Sequence, residues 1–521
     1  MSTPTKAPTP ALATRTRDDR LLFLGYLAGL LVGLAFLVVP LAPRLLPMHH
    51  LPTTHDFDVE MKPQGLVTPF WVVSMASFAL AVWQWRRGRR LDTRLLVAGA
   101  LLLSVVALLV PPVASKDVYA YSFYGKVQVA YHANPYLSIP DQYPLDSWHP
   151  FWSWRLFGPV YGAPFLLLLR LVATVAGPSL LAWVLWMKLL MVAAELGAVA
   201  LLVRVIRVGA NAGQADPDPR WPWLLIAWNP MVLQSIAMGA HVDALLLLVL
   251  AAALLAHRHG RYLLAFMLLV ALFCVKVYMG PLAALYAVWL AAGKRPAAWC
   301  WTLARLGALA AALTALAYLP FASAGTRLFT SAVDVSDHFS SGSPPNLLRR
   351  LLAAALPLLG VNRYRAGLLG DQLARELAVA AIAAALLVAA TRLRAGRDPW
   401  PLLAAFFLAY LLLTPWVFYW HEIPLLGMVA VIPFGLTSLT AVALSITLVP
   451  QVPASASAVS GVPASAGREL LNTTTAFLSR YGGALVVLLV GWQRRRHAPR
   501  PGAGDGDGGY IDAMSLSTRS S

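Results

Sequence analysis

Residues 95–113 read LLVAGALLLSVVALLVPPV, and after Ala114 the chain continues SKDVYAYSFYGKVQVAYHANPYLSIPDQYPLDSWHPFWSWRLFGPVY over residues 115–161. The first run has the length and composition of a helix that crosses hydrocarbon, which needs about 20 apolar residues. The second run is its opposite. It holds three acids (Asp117, Asp141, Asp146), two histidines and a dense set of Tyr, Trp and Pro. A strongly apolar region resumes at 163 and lasts to 203. That alternation decides the fold class: helices packed in a bilayer, with one polar segment hung beside it.

Composition extends the reading to the whole chain. Of 521 residues, 59% are hydrophobic and only 12% charged, against about 25% charged in soluble domains. Apolar runs of about 20 residues recur along most of the length. Lone strands cannot satisfy their backbone in lipid, and the alternation of a barrel is absent. The expectation is an all-α polytopic membrane protein, a bundle of about 13–14 crossings over residues 21–492. The flanks, 1–20 and 493–521, read as disordered cytoplasmic tails of low apolar content.

The net charge of +18 does not point to nucleic acid, because no basic module stands apart from the apolar segments. The Lys and Arg residues gather instead in short runs: RRGRR (86–90), RVIRVGANAGQADPDPR (204–220), HRHGR (257–261), TRLRAGR (391–397) and QRRRH (493–497). Such loops face the cytoplasm. With 86–90 inside, the run 95–113 goes outward and delivers 115–161 to the outer face of a cytoplasmic membrane. An odd number of crossings must then separate Tyr161 from Arg204. The short run 163–177, which carries Arg170, is accordingly expected to lie on the outer surface as an interfacial helix, and 180–203 to cross. The two cysteines, Cys274 and Cys300, suggest neither a disulfide framework nor a metal site.

Charged side chains at bilayer depth cost a few kcal/mol on insertion scales, so each needs a partner or a task. Loop parity places a set of them at the outer ends of crossings: Asp117; His241 and Asp243 in MGAHVDA; Lys276 in FCVKVYMG; His421 and Glu422 in PWVFYWHEIP. Each has an ordinary alternative. An Asp at a loop–helix boundary caps helices, His241 with Asp243 can form a self-satisfied turn, Lys276 can snorkel to headgroups, and His421 can be a solvated loop residue. The aromatics at 148–154 (WHPFWSW) fit an interfacial belt. Taken together, a carboxylate near a cation suits a transfer reaction. Asp117 can act as general base toward a hydroxyl, while Lys276 and His241 hold a phosphate leaving group. No P-loop, dinucleotide fingerprint, zinc motif or nucleophile elbow is present, and no cofactor is expected.

Four segments in this order, SKDVYAYSFYGKV…ANPY, GPVYGAPFLLLLRLVA, WNPMVLQSIAMGAHVDALLL and LLVALFCVKVYMGPLAAL, resemble the GT-C superfamily of polytopic glycosyltransferases. The chain is most similar to bacterial polyprenyl-phosphate-mannose-dependent α-(1→6)-mannosyltransferases of lipoglycan synthesis. The resemblance implies inverting transfer of mannose, or a similar hexose, from a polyprenyl-phosphate sugar to an extracytoplasmic glycan or glycolipid. By the same resemblance Asp117 is the catalytic base and Lys276 a donor-phosphate contact. Further substrate contacts fall to His241, Asp243, Tyr119, Tyr121, Asn134, Tyr136 and His421, with membrane lipids as surroundings and no metal. The alternative class is a transporter or flippase, which would place its charges near the midplane between inverted repeats. No repeat is evident here, and the acids collect at outer ends.

Overall fold

A computed structural model describes residues 10–45, 64–112, 115–211, 217–328, 338–340, 342–447 and 466–496. Among these the chain is built from helices, with no strand. The first three are α1 (Pro10–Leu45), α2 (Gln64–Arg86) and α3 (Thr93–Leu108). Asp92 caps α3 by accepting from the Arg94 N–H. Residues 10–20 and 493–496, expected as parts of disordered tails, are helical. Of the outer loops expected over 42–65 and over the Ala/Ser-rich stretch 451–467, residues 42–45, 64–65 and 466–467 are helical; the rest of both, with the tails at 1–9 and 497–521, lies outside the described residues.

The polar segment that follows is more ordered than a loop. It opens with α4 (Asp117–Ala130) and three short 3-10 turns, and leads into α5 (Ala163–Ala176) and the long α6 (Leu180–Asn211). Most of α4 is buried, although its residues show no clean apolar stripe. Two contacts explain its docking. Gln128 Nε2 donates to Leu166 O on α5 at 2.9 Å, and Trp183 Nε1 of α6 donates to Val118 O at 3.2 Å. Gly125 makes this approach possible, since a Cβ there would stand 2.7 Å from both Leu169 O and the Trp183 ring. Helix α5 buries Phe165, Leu166, Leu169, Val172, Ala173 and Ala176 and exposes Leu167, Arg170, Leu171 and Val175.

The centre of the molecule is a broken helix. After a π-turn at Trp223–Ala227 come α7 (Pro230–Leu233), a second π-turn (Gln234–Met238) and then α8 (Asp243–Arg258), with a bend of 113° between the two arms. Ala240 turns the corner at φ +52, a conformation that costs a non-glycine residue roughly 1 kcal/mol. Helices α9 (Tyr262–Val275) and α10 (Gly280–Ala291) form a hairpin broken at Lys276, whose backbone is extended. The remainder comprises α11 (Pro296–Tyr318), α12 (Pro344–Ala355), α13 (Arg363–Arg392), α14 (Trp400–Leu413), α15 (Ile423–Val429), α16 (Leu436–Thr447) and α17 (Ala466–Arg496). Residues 346–367 are divided between α12, a 3-10 turn (Leu356–Leu359) and the start of α13.

Five segments among the described residues are long and apolar enough to cross a membrane: Asp19–Leu41, Leu180–Ala210, Pro296–Ala324, Arg363–Arg392 and Glu469–Gly491; the bent pair would make a sixth. Six further apolar helices run to only 10–17 residues. The span in α6 is more than half buried, whereas those in α11, α13 and α17 bury only 17%. Large apolar side chains such as Leu316, Leu368, Val379, Leu387 and Leu489 are exposed on that periphery. Such faces need lipid, and the chain is a multi-pass membrane protein.

Candidate active site

The site is assembled where the end of the polar segment is stitched to the break between α9 and α10. The Gly162 N–H donates to Val275 O at 2.9 Å. No other residue fits there: a Cβ on Gly162 would lie 1.7 Å from Cys274 O. This one contact sets Tyr161 beside Lys276, whose ammonium lies 5.7 Å from the centre of the Tyr161 ring and 5.6 Å from that of Tyr278.

Asp117 is the first residue of α4 and is 7% exposed. Its Oδ1 accepts from Trp154 Nε1 and its Oδ2 from the Tyr161 hydroxyl, each at 3.2 Å. Its own N–H donates to Ser115 Oγ. The carboxylate is therefore directed at the Trp154 and Tyr161 side chains, which an ordinary helix cap would not be. Both side-chain bonds are long for an ionised acceptor. Burial pushes the Asp117 carboxyl upward, against the pull of Trp154, the Lys276 charge and Tyr161.

Lys276 sits on the same cavity but is not a free cation. Its Nζ donates to Asp243 Oδ2 at 2.8 Å, and the Tyr278 hydroxyl donates to Asp243 Oδ1 at 2.9 Å. Asp243 itself is fully buried. An ammonium carries three donors, so this pairing orients Lys276 and leaves donors for a second anion.

Asp117, Lys276 and His421 line one cavity of about 240 Å³ that opens to the outside. Its aromatic lining includes Trp154, Tyr161, Tyr278, Tyr410, Trp416, Phe418 and Trp420. His421 lies against Tyr278, with ring centres 4.9 Å apart, and its Nδ1 accepts from the Phe418 N–H. His241 is placed differently. It is fully buried and stacked on Trp420 at 3.9 Å, so it stands behind the cavity wall. Its Nδ1 is 3.6 Å from Asp117 Oδ2, beyond hydrogen-bond range.

The other expected contacts also stand behind the cavity. Tyr119 and Tyr121 are buried on α4, Tyr121 against Tyr161 and Phe165. The Tyr136 hydroxyl donates to Tyr161 O, and Asn134 bonds Ser323 Oγ while capping the turn at Tyr136. Of these, Tyr121 and Tyr136 support Tyr161. Among the described residues no three His, Cys, Asp or Glu side chains converge into a metal-binding group.

A family model described as alpha-(1->6)-mannopyranosyltransferase, N-terminal domain, matches residues 22–293, just over half of the 521. The chain belongs to this family. It is also similar to alpha-(1->6)-mannopyranosyltransferase A of Mycobacterium tuberculosis, 29% identical over 193 residues, which is 36% of this chain and 34% of that relative. The chain thus covers about a third of that relative's length. No solved structure matches. In family terms the site has two sources. Asp117, Trp154, Tyr161, His241, Asp243 and Lys276 lie inside the matched region; the wall at 410–421 lies outside it.

Of that wall sequence reasoning named His421 alone, and it placed Trp154 in an interfacial belt. The run WHPFWSW does not all serve as a belt: Trp152 is fully buried against Phe123, and Trp154 reaches Asp117. The backbone of Trp154 at φ +57 marks a position held in an uncommon conformation, which only the structure reveals.

Proposed function

We propose that the protein is an inverting mannosyltransferase that moves mannose from a β-linked polyprenyl-phosphate donor to a hydroxyl of a glycan or glycolipid outside the cytoplasmic membrane. The observation that carries the reading is the meeting of Asp117 and Lys276 on one cavity, within each other's electrostatic reach. Membership of the α-(1→6)-mannopyranosyltransferase family supports the sugar and the reaction type.

In the proposed step the acceptor oxygen attacks C1 of mannose while Asp117 takes its proton. The bond from C1 to the phosphate oxygen breaks with its electron pair, leaving polyprenyl phosphate. Lys276, oriented by Asp243, offsets the charge that develops on that oxygen. Attack opposite the leaving group turns a β donor into an α product, and the Asp117 proton then passes to water. Tyr161 ties the two halves together, since its hydroxyl holds the base while its ring flanks the cation.

The test is conversion of a short mannoside by purified protein supplied with polyprenyl-phosphate mannose. A product longer by one α-linked mannose is expected. Movement of the lipid-linked sugar across vesicles with no covalent product would overturn the reading in favour of a transporter. Leu145→Cys, at a fully exposed position of the same polar segment, should be labelled from outside the cell; labelling from the cytoplasm alone would place the site on the wrong face.

A further inference from the structure

The aromatic wall at 414–421 is clamped at successive backbone atoms. The Ser340 N–H donates to Pro415 O at 2.9 Å, and the Val417 N–H donates to Ser340 Oγ at 2.9 Å. Arg480 Nη2 of α17 donates to Val417 O at 2.8 Å. Arg480 is 5% exposed and lies over the Tyr481 ring at 5.4 Å. The buried Glu422 carboxylate feels its charge. The strap that carries Ser340 closes directly on α17: Gly342, at φ +75, has no room for a Cβ, which would meet the Ala476 backbone at 2.8 Å. A buried guanidinium is a costly way to join two apolar helices. Here its donor is spent on the one carbonyl between Trp416 and Phe418.

Those two rings stand on the Asp117 side of the cavity. Trp416 lies 6.4 Å from Trp154, the donor to Asp117, and packs edge-on against Phe418 at 4.9 Å. Phe418 stacks on Trp420 at 4.5 Å and 11°. Trp416 and Phe418 are half-buried and line the cavity. Lys276 is flanked by Tyr161, which it shares with Asp117, and by Tyr278. A base must be within hydrogen-bond reach of the hydroxyl it deprotonates, so the acceptor belongs beside Asp117 and Trp154, and the donor phosphate beside Lys276. Flat aromatic faces fit the C–H face of a sugar ring.

We propose that Trp416 and Phe418 form the platform on which a pyranose acceptor lies, and that Arg480 is the positioning residue that holds the platform against the base. Acceptor choice then resides in the wall outside the family match, while the transfer chemistry resides inside it. The inference rests on Asp117 being the base.

The test measures KM for an α-(1→6)-linked mannobiose and for polyprenyl-phosphate mannose separately. Trp416→Ala should raise the mannobiose KM about tenfold, a loss of roughly 1.4 kcal/mol, with the donor KM held within about twofold. Arg480→Gln should move the same constant in the same direction, and Arg480→Lys should recover part of it. Quenching of tryptophan fluorescence by mannobiose in an Asp117→Asn background reads binding without turnover, and Phe418→Leu should weaken it. That arm separates failure of the platform from failure of the base, which Asp117→Asn turnover tests alone. Should Trp416→Ala not fold, Trp416→Phe and Phe418→Leu supply the graded series. A rise in the donor KM with the mannobiose KM fixed would give the wall to the lipid chain. Unchanged constants with undiminished mannobiose quenching would remove the platform altogether.

Discussion

Asp117 and Asp146 lie 29 residues apart in one polar segment, are both shielded from solvent, and live in opposite environments. Asp146 is saturated. Lys126 Nζ, the Tyr131 hydroxyl and the Trp148 N–H reach it at 2.7, 2.6 and 2.7 Å, and the Lys126 ammonium sits 4.2 Å from the Trp148 ring centre. Asp117 receives two long bonds from neutral donors and lines the cavity. Burial pushes both carboxyls up. At Asp146 the Lys126, Tyr131 and Trp148 partners outweigh it and hold the group low, whereas at Asp117 burial prevails. A structural carboxylate is given all the partners it can use; one reserved for chemistry is left partly unsatisfied, at a cost to the fold.

The sharpest way to break this contrast is to neutralise each acid in turn. Asp117→Asn should lower kcat by about 10³-fold, within the range general-base catalysis supplies, while thermal stability in detergent holds or rises. A raised carboxyl contributes stability that is present below its unfolded value and lost as pH rises through the folded one, so removing the charge at neutral pH relieves the fold. Asp146→Asn should do the reverse, costing roughly 2 kcal/mol from its charged hydrogen bonds with the mannobiose and donor KM values little changed. Equal losses of activity in the two variants would erase the distinction. Between them in effect on turnover stands Lys276→Met, expected to lower kcat/KM for the donor about 10- to 100-fold by removing the cation that offsets the leaving-group charge and to leave Asp243 buried without its ion partner. A donor kcat/KM that does not move would detach Lys276 from the phosphate.

The contrast also shows what can be read before a structure exists. Asp117, Lys276 and Asp243 stood out because ionised groups beside apolar runs are rare enough to demand a reason, and loop parity alone grouped them at one end. The aromatics carried no such signal: Trp154 and Trp416 have the composition of any interfacial belt, and nothing local says which ring turns inward. Helix α4 was read as loop because its tyrosines and Lys126 hide its periodicity, its order coming from tertiary bonds such as Gln128 to Leu166 O. For His241, loop parity gives the same outer end as Lys276 but not its packing. Its stacking on Trp420 depends on a residue 179 positions later, a pairing that no local pattern encodes.

The smallest expected effect is the most discriminating between a poised and a merely buried acid. Trp154→Phe keeps the ring in place and deletes the donor to Asp117 Oδ1. Trp154 is the foremost influence lowering the Asp117 carboxyl, so its loss should move the acid limb of kcat/KM to higher pH, with only a few-fold loss on the alkaline plateau where Asp117 is ionised anyway. The direction is fixed by the chemistry: a base works deprotonated, and a donor withdrawn from the ionised form makes ionisation harder. The matching change at Asp146, Tyr131→Phe, also removes a donor and raises that carboxyl. Its consequence is confined to stability, which should be lower at neutral pH and should fall over a narrower acid range that ends at a higher pH than in the unaltered protein, while the acid limb of the rate stays where it was. An acid limb that follows Tyr131→Phe and ignores Trp154→Phe would transfer the base role from Asp117 to Asp146.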